Sequence, residues 1–113
     1  IDGTGNGLAN IIVGNAGTNR LDGEAGADFL VGGEGNDVFV FRRGEAQGDR
    51  VIDFNGLGAA AGDRIELAGY GRGATFTQVA GSADLWRISD PAGGLVETVT
   101  ITGAVHPTDW LFV

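Results

Sequence analysis

Apolar and polar positions repeat every nine residues between residues 5 and 40. When this stretch is written as four lines of nine, the eighth position of each line is apolar, in the order Ile12, Leu21, Leu30 and Phe39. The first position is always glycine, in the order Gly5, Gly14, Gly23 and Gly32. Glycine permits the backbone angles of a sharp turn, and side chains alternate faces along a strand. Each line is therefore predicted to be a turn followed by a short strand, with its eighth position in the core.

A fixed repeat of this length predicts a solenoid, in which each unit stacks on its neighbours. Two nonapeptides would form one coil, so that lines one and three stack on one side and lines two and four on the other. We therefore predict an all-β fold built as a parallel solenoid. The outward positions of lines one and three are apolar, namely Ile11, Val13, Phe29 and Val31. Because an exposed apolar face favours association, we expect later strands or a partner to cover it.

The sixth position of each line carries an amide or a carboxylate, in the order Asn10, Asn19, Asp28 and Asp37. Stacked strands lie about 4.8 Å apart, so these side chains would be almost that close. Carboxylates at such a distance repel one another unless a cation lies between them. Calcium suits the gap, because it accepts about 6–8 oxygen ligands in flexible geometry. The alternative is a glycine-rich turn array that is held by Asx-turns and binds no metal.

These residues resemble the RTX (haemolysin-type calcium-binding) family, most closely at residues 32–40, Gly-Gly-Glu-Gly-Asn-Asp-Val-Phe-Val. The resemblance implies a parallel β-roll in which one turn and the turn eighteen residues later share an ion through backbone carbonyls and sixth-position side chains. Carried over, the first ion would lie among Asn6, Leu8, Asn10, Gly23, Ala25 and Asp28. The second would lie among Asn15, Gly17, Asn19, Gly32, Glu34 and Asp37, with Gly33 and Gly35 in the same turn.

Three positions depart from the family pattern. Leu8 replaces a glycine, and Asn10 and Asn19 replace aspartates. An amide oxygen can still coordinate calcium, but each asparagine removes one negative charge. We therefore expect both sites to be weak.

The nine-residue period ends after Phe41, and a polar loop spans residues 42–48. Strands are predicted at residues 49–54 and 63–67, which resemble the pattern that follows the repeats in this family. By that resemblance, Asp49 would close a terminal calcium site at the edge of the third or fourth turn, with Asp53 behind it. The alternative is that both are solvated carboxylates at the end of a strand.

The remaining sequence predicts a strand at residues 74–79 and a hairpin formed by residues 83–90 and 95–102. Trp86 would anchor the core there, and a binding role is the alternative. We expect a roll at residues 1–48 and antiparallel strands at residues 49–113 that cap its edge, together forming one folded unit.

Composition supports a cation-binding protein. The chain has 113 residues, 22 of them glycine, with 15 acidic against 7 basic residues and a net charge of −8. This charge disfavours nucleic acid and anionic membranes as partners. No stretch approaches the roughly 20 apolar residues of a membrane span. The absence of cysteine fits a protein outside the cell, and the opening without methionine suggests the C-terminal part of a larger protein.

The sequence offers little for catalysis. Its single histidine, His106, precedes Pro107 and predicts a surface turn. Asp49 and Asp53 could act as acid and base, but the glycine-rich context favours them as ligands. We therefore expect no enzyme in these residues, with any activity in an upstream domain.

The family resemblance implies a secreted, extracellular bacterial protein, exported by a type I (ABC) system and folding on calcium outside the cell. Residues 109–113, Asp-Trp-Leu-Phe-Val, match the acidic residue and hydrophobic tail of such export signals. The alternative for this tail is the last strand of the cap. The alternative function is a polysaccharide-binding module attached to a secreted carbohydrate-active enzyme such as an alginate epimerase, with Arg20, Asp22 and Tyr70 as candidate contacts.

Overall fold

The computed structural model describes residues 2–4, 7–55, 62–105 and 109–113, the first three by their backbone alone. Within them the strands are β1 (Asp2–Thr4), β2 (Ile11–Val13), β3 (Arg20–Asp22), β4 (Phe29–Val31), β5 (Val38–Arg42), β6 (Arg50–Asn55), β7 (Arg64–Ala68), β8 (Thr75–Gln78), β9 (Leu85–Asp90), β10 (Leu95–Ala104) and β11 (Trp110–Phe112). A short 3-10 turn, Ala92–Gly94, joins β9 to β10. The predicted ligand Asn6 and the predicted surface turn at His106 and Pro107 lie outside the described residues.

The strands form two sheets that face each other. The first sheet has the order β1-β3-β5-β7-β11, and every neighbouring pair in it is parallel. The second has the order β2-β4-β6-β10-β9-β8. Successive strands of the repeat region alternate between the two sheets, so two nonapeptides complete one coil. The chain is an all-β parallel β-roll, as the repeat period predicts.

The eighth-position residues form the core of the repeat region. Leu21, Leu30 and Phe39 are completely buried, whereas Ile12, in the edge strand β2, is partly buried against them. Each stacks on an apolar residue of the next coil, as in Leu21 beside Phe39 and Leu30 beside Val51. Complete burial of such a side chain stabilises the fold by about 1.5–3 kcal/mol.

The roll continues past residue 48, which corrects the expectation of antiparallel strands throughout residues 49–113. Strand β6 pairs with β4 in parallel, β7 with β5, β10 with β6 and β11 with β7. The reason is that β7 and the start of β6 continue the register of the repeats, with Phe39 beside Ile65 and Leu30 beside Val51, so they extend the existing sheets. Antiparallel pairing is confined to β8, β9 and β10, where the predicted hairpin is confirmed.

The prediction that later strands cover the outer face of lines one and three is wrong. Ile11 is 77% exposed, Val13 60% and Phe29 41%, while Val31 is half-buried. The C-terminal strands add to the sheets edge to edge, and none of those described packs over this face. We call the surface formed by Ile11, Val13, Phe29 and Val31 the apolar outer face.

Aromatic side chains close the C-terminal end of the core. Phe76 stacks on Trp86 with ring centroids 4.8 Å apart, and Trp110 meets the edge of Phe76 at 5.4 Å. Phe112 packs against both Trp110 and Tyr70. Trp86 therefore lies against the core, as expected, and the C-terminal tail is the strand β11.

Candidate metal site

Side chains at the sixth position of the turns are stacked in two ladders, one beside each sheet. The backbone N–H of Asn10 donates to Asp28 Oδ1 at 2.7 Å, and the N–H of Asn19 donates to Asp37 Oδ1 at 2.8 Å. Both pairs are eighteen residues apart in the sequence. The structure thus brings together the two pairs of residues that the repeat period predicted, through a backbone N–H of one and a carboxylate of the other.

Both ladders continue beyond the repeats. The N–H of Asp28 donates to Asp49 Oδ1 at 3.0 Å, and the N–H of Asp37 donates to Asp63 Oδ1 at 2.9 Å. Asp49 therefore lies at the third turn (residues 23–28), within the range expected. Sequence reasoning missed Asp63 as a member of the second ladder. The signal was present, because Asp63 precedes the buried Ile65 by two residues, as Asp37 precedes Phe39.

Asp53 takes a different place from Asp49. Its carboxylate accepts the N–H groups of Gly32 at 3.0 Å and Gly33 at 2.8 Å. It therefore caps the start of the fourth turn (residues 32–37), while Asp49 serves the third. Asp53, the second candidate for the terminal site, thus lies at a different turn from Asp49, and its role as a ligand stays a prediction.

Asp28 and Asp37 each bury one oxygen without a hydrogen-bond partner. Asp28 is completely buried and Asp37 is 1% exposed, and the Oδ2 atom of each has no partner. These atoms fold back over the first glycine of their own turn, where a Cβ added at Gly23 would collide with Asp28 Oδ2 and one added at Gly32 would collide with Asp37 Oδ2. A buried acceptor without a partner is destabilising by about 1–3 kcal/mol, and more when it is charged. Two such oxygens at repeated positions fit a cation.

In the second turn (residues 14–19), the sixth-position side chain, Asn19, forms hydrogen bonds within its own turn. Asn19 Oδ1 accepts the N–H of Asn15 at 2.9 Å, and Asn19 Nδ2 donates to Asn15 Oδ1 at 3.0 Å. Asn15 Oδ1 also accepts the N–H of Gly17 at 2.9 Å, which is an Asx-turn. The second turn therefore contains an Asx-turn, and an ion at this turn stays a prediction.

In the second turn, the N–H group of the second position donates to the sixth-position side chain. In the third and fourth turns, the same N–H group donates to a carboxylate other than Asp28 or Asp37. Glu24 donates to Asp22 Oδ1 at 3.0 Å and Gly33 donates to Asp53 Oδ2 at 2.8 Å. Asp22 and Glu24 thus form an Asx-turn as well, but Asp28 and Asp37 each keep an oxygen without a partner, which an Asx-turn does not explain.

Backbone carbonyls supply further oxygens between the coils. An added Cβ would lie 2.7 Å from the Leu8 carbonyl oxygen at Gly26, 2.8 Å from that of Asn15 at Gly33 and 2.8 Å from that of Gly17 at Gly35. The φ angles of these glycines are 99°, 83° and 94°, which side chains rarely tolerate. The carbonyls of the first and second turns thus lie against the glycines of the third and fourth turns, respectively. The Leu8 side chain is 70% exposed, and only its carbonyl is directed at the third turn.

The remaining predicted ligands lie in the same turns. Gly23 and Gly32 are buried, Ala25 is half-buried and Glu34 is exposed. Each was predicted to contribute a carbonyl, and their roles as ligands stay predictions.

Burial and mutual repulsion raise the pKa values of the ladder carboxyls. Loss of solvation is the main cause for Asp28, Asp37 and Asp63, and hydrogen bonds from backbone N–H groups partly oppose it. Neighbouring carboxylates add to the rise, as Asp63 and Asp53 do for the pKa of Asp37. Burial also raises the pKa of Asp49 to about 8. A bound cation would reverse this preference by favouring the ionised carboxylates.

The donor set suits a hard cation. Among the described residues, no three histidine, cysteine or acidic side chains converge as a metal site, so carbonyl oxygens must complete any coordination shell. Carboxylate and carbonyl oxygens in flexible turns are ligands of calcium, whereas zinc prefers nitrogen and sulfur. These residues therefore fit calcium.

Comparison with known protein families matches residues 4–39 to the RTX calcium-binding nonapeptide repeat, in four copies. No curated protein proved similar enough in sequence to count as a relative. The matched family describes a calcium-binding repeat, and its span covers all four turns but ends before Asp49 and Asp63.

Proposed function

Residues 4–39 of this chain are RTX calcium-binding nonapeptide repeats, and from this we propose that the chain is a calcium-dependent folding module of a secreted protein. The calcium-binding module itself follows from the repeats. Export, the extracellular location and the attachment to a larger upstream protein are the further parts of the proposal.

The buried, unpartnered oxygens of Asp28 and Asp37 are the observation that supports calcium-dependent folding. One ion would lie between the first and third turns, held by Asp28, the amide of Asn10 and the carbonyl of Leu8. A second would lie between the second and fourth turns, held by Asp37, the amide of Asn19 and the carbonyls of Asn15 and Gly17. Bound calcium would neutralise the carboxylates and link stacked turns that otherwise share few apolar contacts.

By mass action, calcium should favour the folded state of the repeats. A ligand that binds only the folded state stabilises it by about 2.7 kcal/mol at one hundred times its Kd. Extracellular calcium modules bind at about 10⁻⁴–10⁻³ M, so the repeats would stay loose in calcium-poor cytoplasm and fold outside. A loose chain is also what a secretion channel can thread.

The test of this part is a calcium titration followed by near-ultraviolet circular dichroism and calorimetry. Calcium should increase the ordered signal and bind with measurable heat. The double substitution Asp28→Asn and Asp37→Asn should weaken both effects strongly. Identical spectra with and without calcium would contradict the proposal.

The tail supports export by a type I system through its acidic residue followed by apolar ones. In the fold, Trp110 and Phe112 pack in the aromatic end of the core, whereas Leu111 and Val113 are both 60% exposed. The two roles are compatible, because the signal would be read before the chain folds.

Because Leu111 and Val113 are exposed, they can be replaced without disturbing the core. Replacing Leu111 and Val113 with serine should retain the protein in a host with a type I transporter while leaving calcium-loaded folding nearly unchanged. A matched control replaces the exposed Val96 with serine. Undiminished export of the double variant would count against a signal in this tail.

Polysaccharide binding remains a second candidate, at a different surface from the one expected. Arg20 is paired with Glu66 at 2.7 Å, Asp22 with Arg42 at 2.7 Å, and the Tyr70 hydroxyl donates to Glu97 at 2.8 Å. These three residues are therefore occupied within the fold, and the prediction that they contact a glycan has no support from their positions.

The apolar outer face is the observation that favours this candidate. Arg50 lies over the exposed Phe29 ring at 5.2 Å, and Arg87 is exposed on the same side of the sheet. An aromatic ring under one guanidinium group, with a second guanidinium group further along the same side of the sheet, suits an acidic sugar chain. Titration with alginate oligomers should shift the amide resonances of β4 and β6 and spare those of β7. Shifts in neither strand would exclude this function.

No helix in the described part of the chain is long and apolar enough to cross a membrane.

A further inference from the structure

We propose that calcium between the first and third turns regulates the binding of an acidic glycan to the apolar outer face, through residues that directly follow the calcium ligands. The inference rests on the second candidate function, glycan binding at this face, and adds its regulation. It concerns the ladder beside the second sheet, which we call the first ladder and which consists of Asn10, Asp28 and Asp49.

One row across the face consists of the residues that come immediately after the members of the first ladder, namely Ile11, Phe29 and Arg50. They are neighbours in adjacent parallel strands, with Ile11 beside Phe29 and Phe29 beside Arg50. Ile11 and Phe29 are 77% and 41% exposed, and Arg50 is exposed as well. The Arg50 guanidinium lies over the Phe29 ring at 5.2 Å. A surface of apolar side chains and one cation is thus a single residue away from the ladder.

The same residues hold the ladder and the row together. The Phe29 N–H donates to the Asn10 carbonyl at 2.8 Å, and the Arg50 N–H donates to the Asp28 carbonyl at 2.8 Å. On their other side, Asn10 donates its N–H to Asp28 Oδ1 at 2.7 Å, and Asp28 donates its N–H to Asp49 Oδ1 at 3.0 Å. A change in the spacing of the ladder must therefore change the spacing of the row.

Calcium would set the spacing of the ladder. Asp28 is completely buried and Asp49 is 2% exposed, and their ionised carboxylates repel each other when no cation is near. An ion between the first and third turns would neutralise Asp28 and hold Asn10 against it. Phe29 would then be fixed between its two neighbours in the row. A glycan that binds an already ordered row loses less conformational entropy on binding, so its affinity should rise.

The charge of the face explains why the partner is acidic. The chain has a net charge of −8, yet the charged side chains at the outward positions of the described strands β2, β4, β6, β9 and β10 are Arg50 and Arg87, both exposed. Asp53, near the end of β6, turns its carboxylate to the N–H groups of the fourth turn. Guanidinium groups pair with carboxylates through parallel hydrogen bonds, so the face complements a glycan that carries carboxylates.

The two arginines differ in their relation to the ladder, which makes them a matched pair. Arg50 follows Asp49 and is bonded to Asp28 through its backbone. Arg87 lies in β9, which pairs antiparallel with β8 and β10 and contains no member of the ladder. Calcium should therefore change the contribution of Arg50 to glycan binding and leave the contribution of Arg87 nearly unchanged.

The experiment measures the Kd of a fluorescently labelled alginate oligomer for the full chain, in the absence of calcium and at a saturating, buffered concentration of free calcium. Calcium should tighten binding to the unaltered protein about tenfold, a usual size for coupled sites. Arg87→Gln should weaken binding by the same factor in both conditions and so preserve this ratio. Arg50→Gln should remove most of the calcium dependence. Equal ratios in the two variants would overturn the proposal.

Substitutions in the ladders test the same link from the calcium side. Asp28→Asn should remove most of the calcium dependence of glycan binding. Asp37→Asn is the matched change in the second ladder, beside the other sheet, and should remove less of it. The opposite order would overturn the proposal. Should either variant fail to fold, the two arginine variants decide the question, because both substitutions are at exposed positions.

The outcomes separate the regulation from the functions on which it rests. If the oligomer binds at no calcium concentration, glycan binding fails as a function and its regulation fails with it. If calcium itself does not bind, the calcium module fails and the regulation fails too. If both ligands bind and the Kd of the oligomer is independent of calcium, only the regulation is overturned. A glutamate oligomer of the same charge should bind more weakly, and equal affinity would overturn a glycan as the partner.

Discussion

Strands β2, β3 and β4 are three residues long, whereas β6 has six residues and β10 has ten. Each short strand points one apolar side chain into the core, and β6 and β10 each bury two, among them Val51, Phe54, Val99 and Ile101. The aromatic cluster adds further contacts at the C-terminal end only. The two regions share the same sheets, yet the repeat region has much less apolar contact with which to hold its turns together.

The two regions also differ in whether their buried carboxylates have hydrogen-bond partners. Glu97 is 2% exposed and accepts four hydrogen bonds, from the N–H groups of Gly44, Ala46 and Gln47 and from the Tyr70 hydroxyl. Asp90 accepts bonds from Arg43 Nε at 2.8 Å and the Gly71 N–H at 2.9 Å. Asp28 and Asp37, by contrast, each leave an oxygen unpaired. Glu97 and Asp90 of the C-terminal region are satisfied by protein donors, whereas Asp28 and Asp37 of the repeat region each keep one buried oxygen that is not.

Removal of calcium should therefore affect the two regions unequally, and this is the largest effect we expect. In metal-free buffer the amides of β2, β3 and β4 should exchange with solvent rapidly, while those of β9 and β10 stay protected. Hydrogen exchange with and without calcium measures this difference. Uniform loss of protection across all strands would show that the roll is one cooperative unit and that the comparison between its regions has no thermodynamic meaning.

Glu97→Ala should break the C-terminal region, because it leaves four donors without their acceptor. Unpaired buried donors are destabilising by about 1–3 kcal/mol each, and water can reach some of this exposed loop, so we expect a loss of about 3 kcal/mol. Urea denaturation in metal-free buffer measures it. Glu97→Gln, which keeps one acceptor oxygen, is the control and should lose less. Equal stability of Glu97→Ala and the unaltered protein would mean that the loop at residues 43–48 does not depend on this carboxylate.

Much of this architecture could be predicted from the sequence where a period was available. The eighth-position core and the pairing of Asn19 with Asp37 follow from spacing alone. Asp63 was missed because the insertion that precedes it lengthens the coil from eighteen to twenty-six residues, so that no fixed register extends to it. The parallel pairing of β6 and β7 was missed for the same reason. The bonds to Glu97 could not be predicted, since three of them join residues about fifty positions apart and the fourth joins residues 27 positions apart.

Asn19→Asp should sharpen the comparison by making the second turn resemble the fourth. It replaces the Asn19 amide that donates to Asn15 and places a second carboxylate against Asp37. Calcium affinity at this site should rise about tenfold, equivalent to about 1.4 kcal/mol, while the calcium-free protein loses stability through repulsion. Calorimetric titration and thermal unfolding measure the two effects. As the paired control, Asp37→Ala should weaken the site more than Asn19→Ala does; the opposite order would place the ion elsewhere.

The pH dependence should be the smallest effect, and its sign should differ between the calcium-free and calcium-loaded protein. Burial raises the pKa of Asp49 from 3.8 to about 8, and the pKa values of Asp28, Asp37 and Asp63 are raised as well. Between these limits the folded calcium-free state holds more protons than the unfolded state, so its stability falls as the pH rises. Calcium requires the ionised carboxylates, so its affinity should rise over the same interval.

Thermal unfolding between about pH 5 and pH 8, with and without calcium, measures both slopes. Metal-free buffer should give a Tm that decreases toward pH 8, and the gain in Tm on adding calcium should increase. Asp49→Asn removes the carboxyl group whose pKa is raised to about 8 and should flatten the dependence of Tm on pH in metal-free buffer. Asp84→Asn should leave this dependence unchanged. Parallel slopes with and without calcium would mean that the ladder carboxylates do not exchange protons for the ion, and that the buried acids of the repeat region are neutralised in another way.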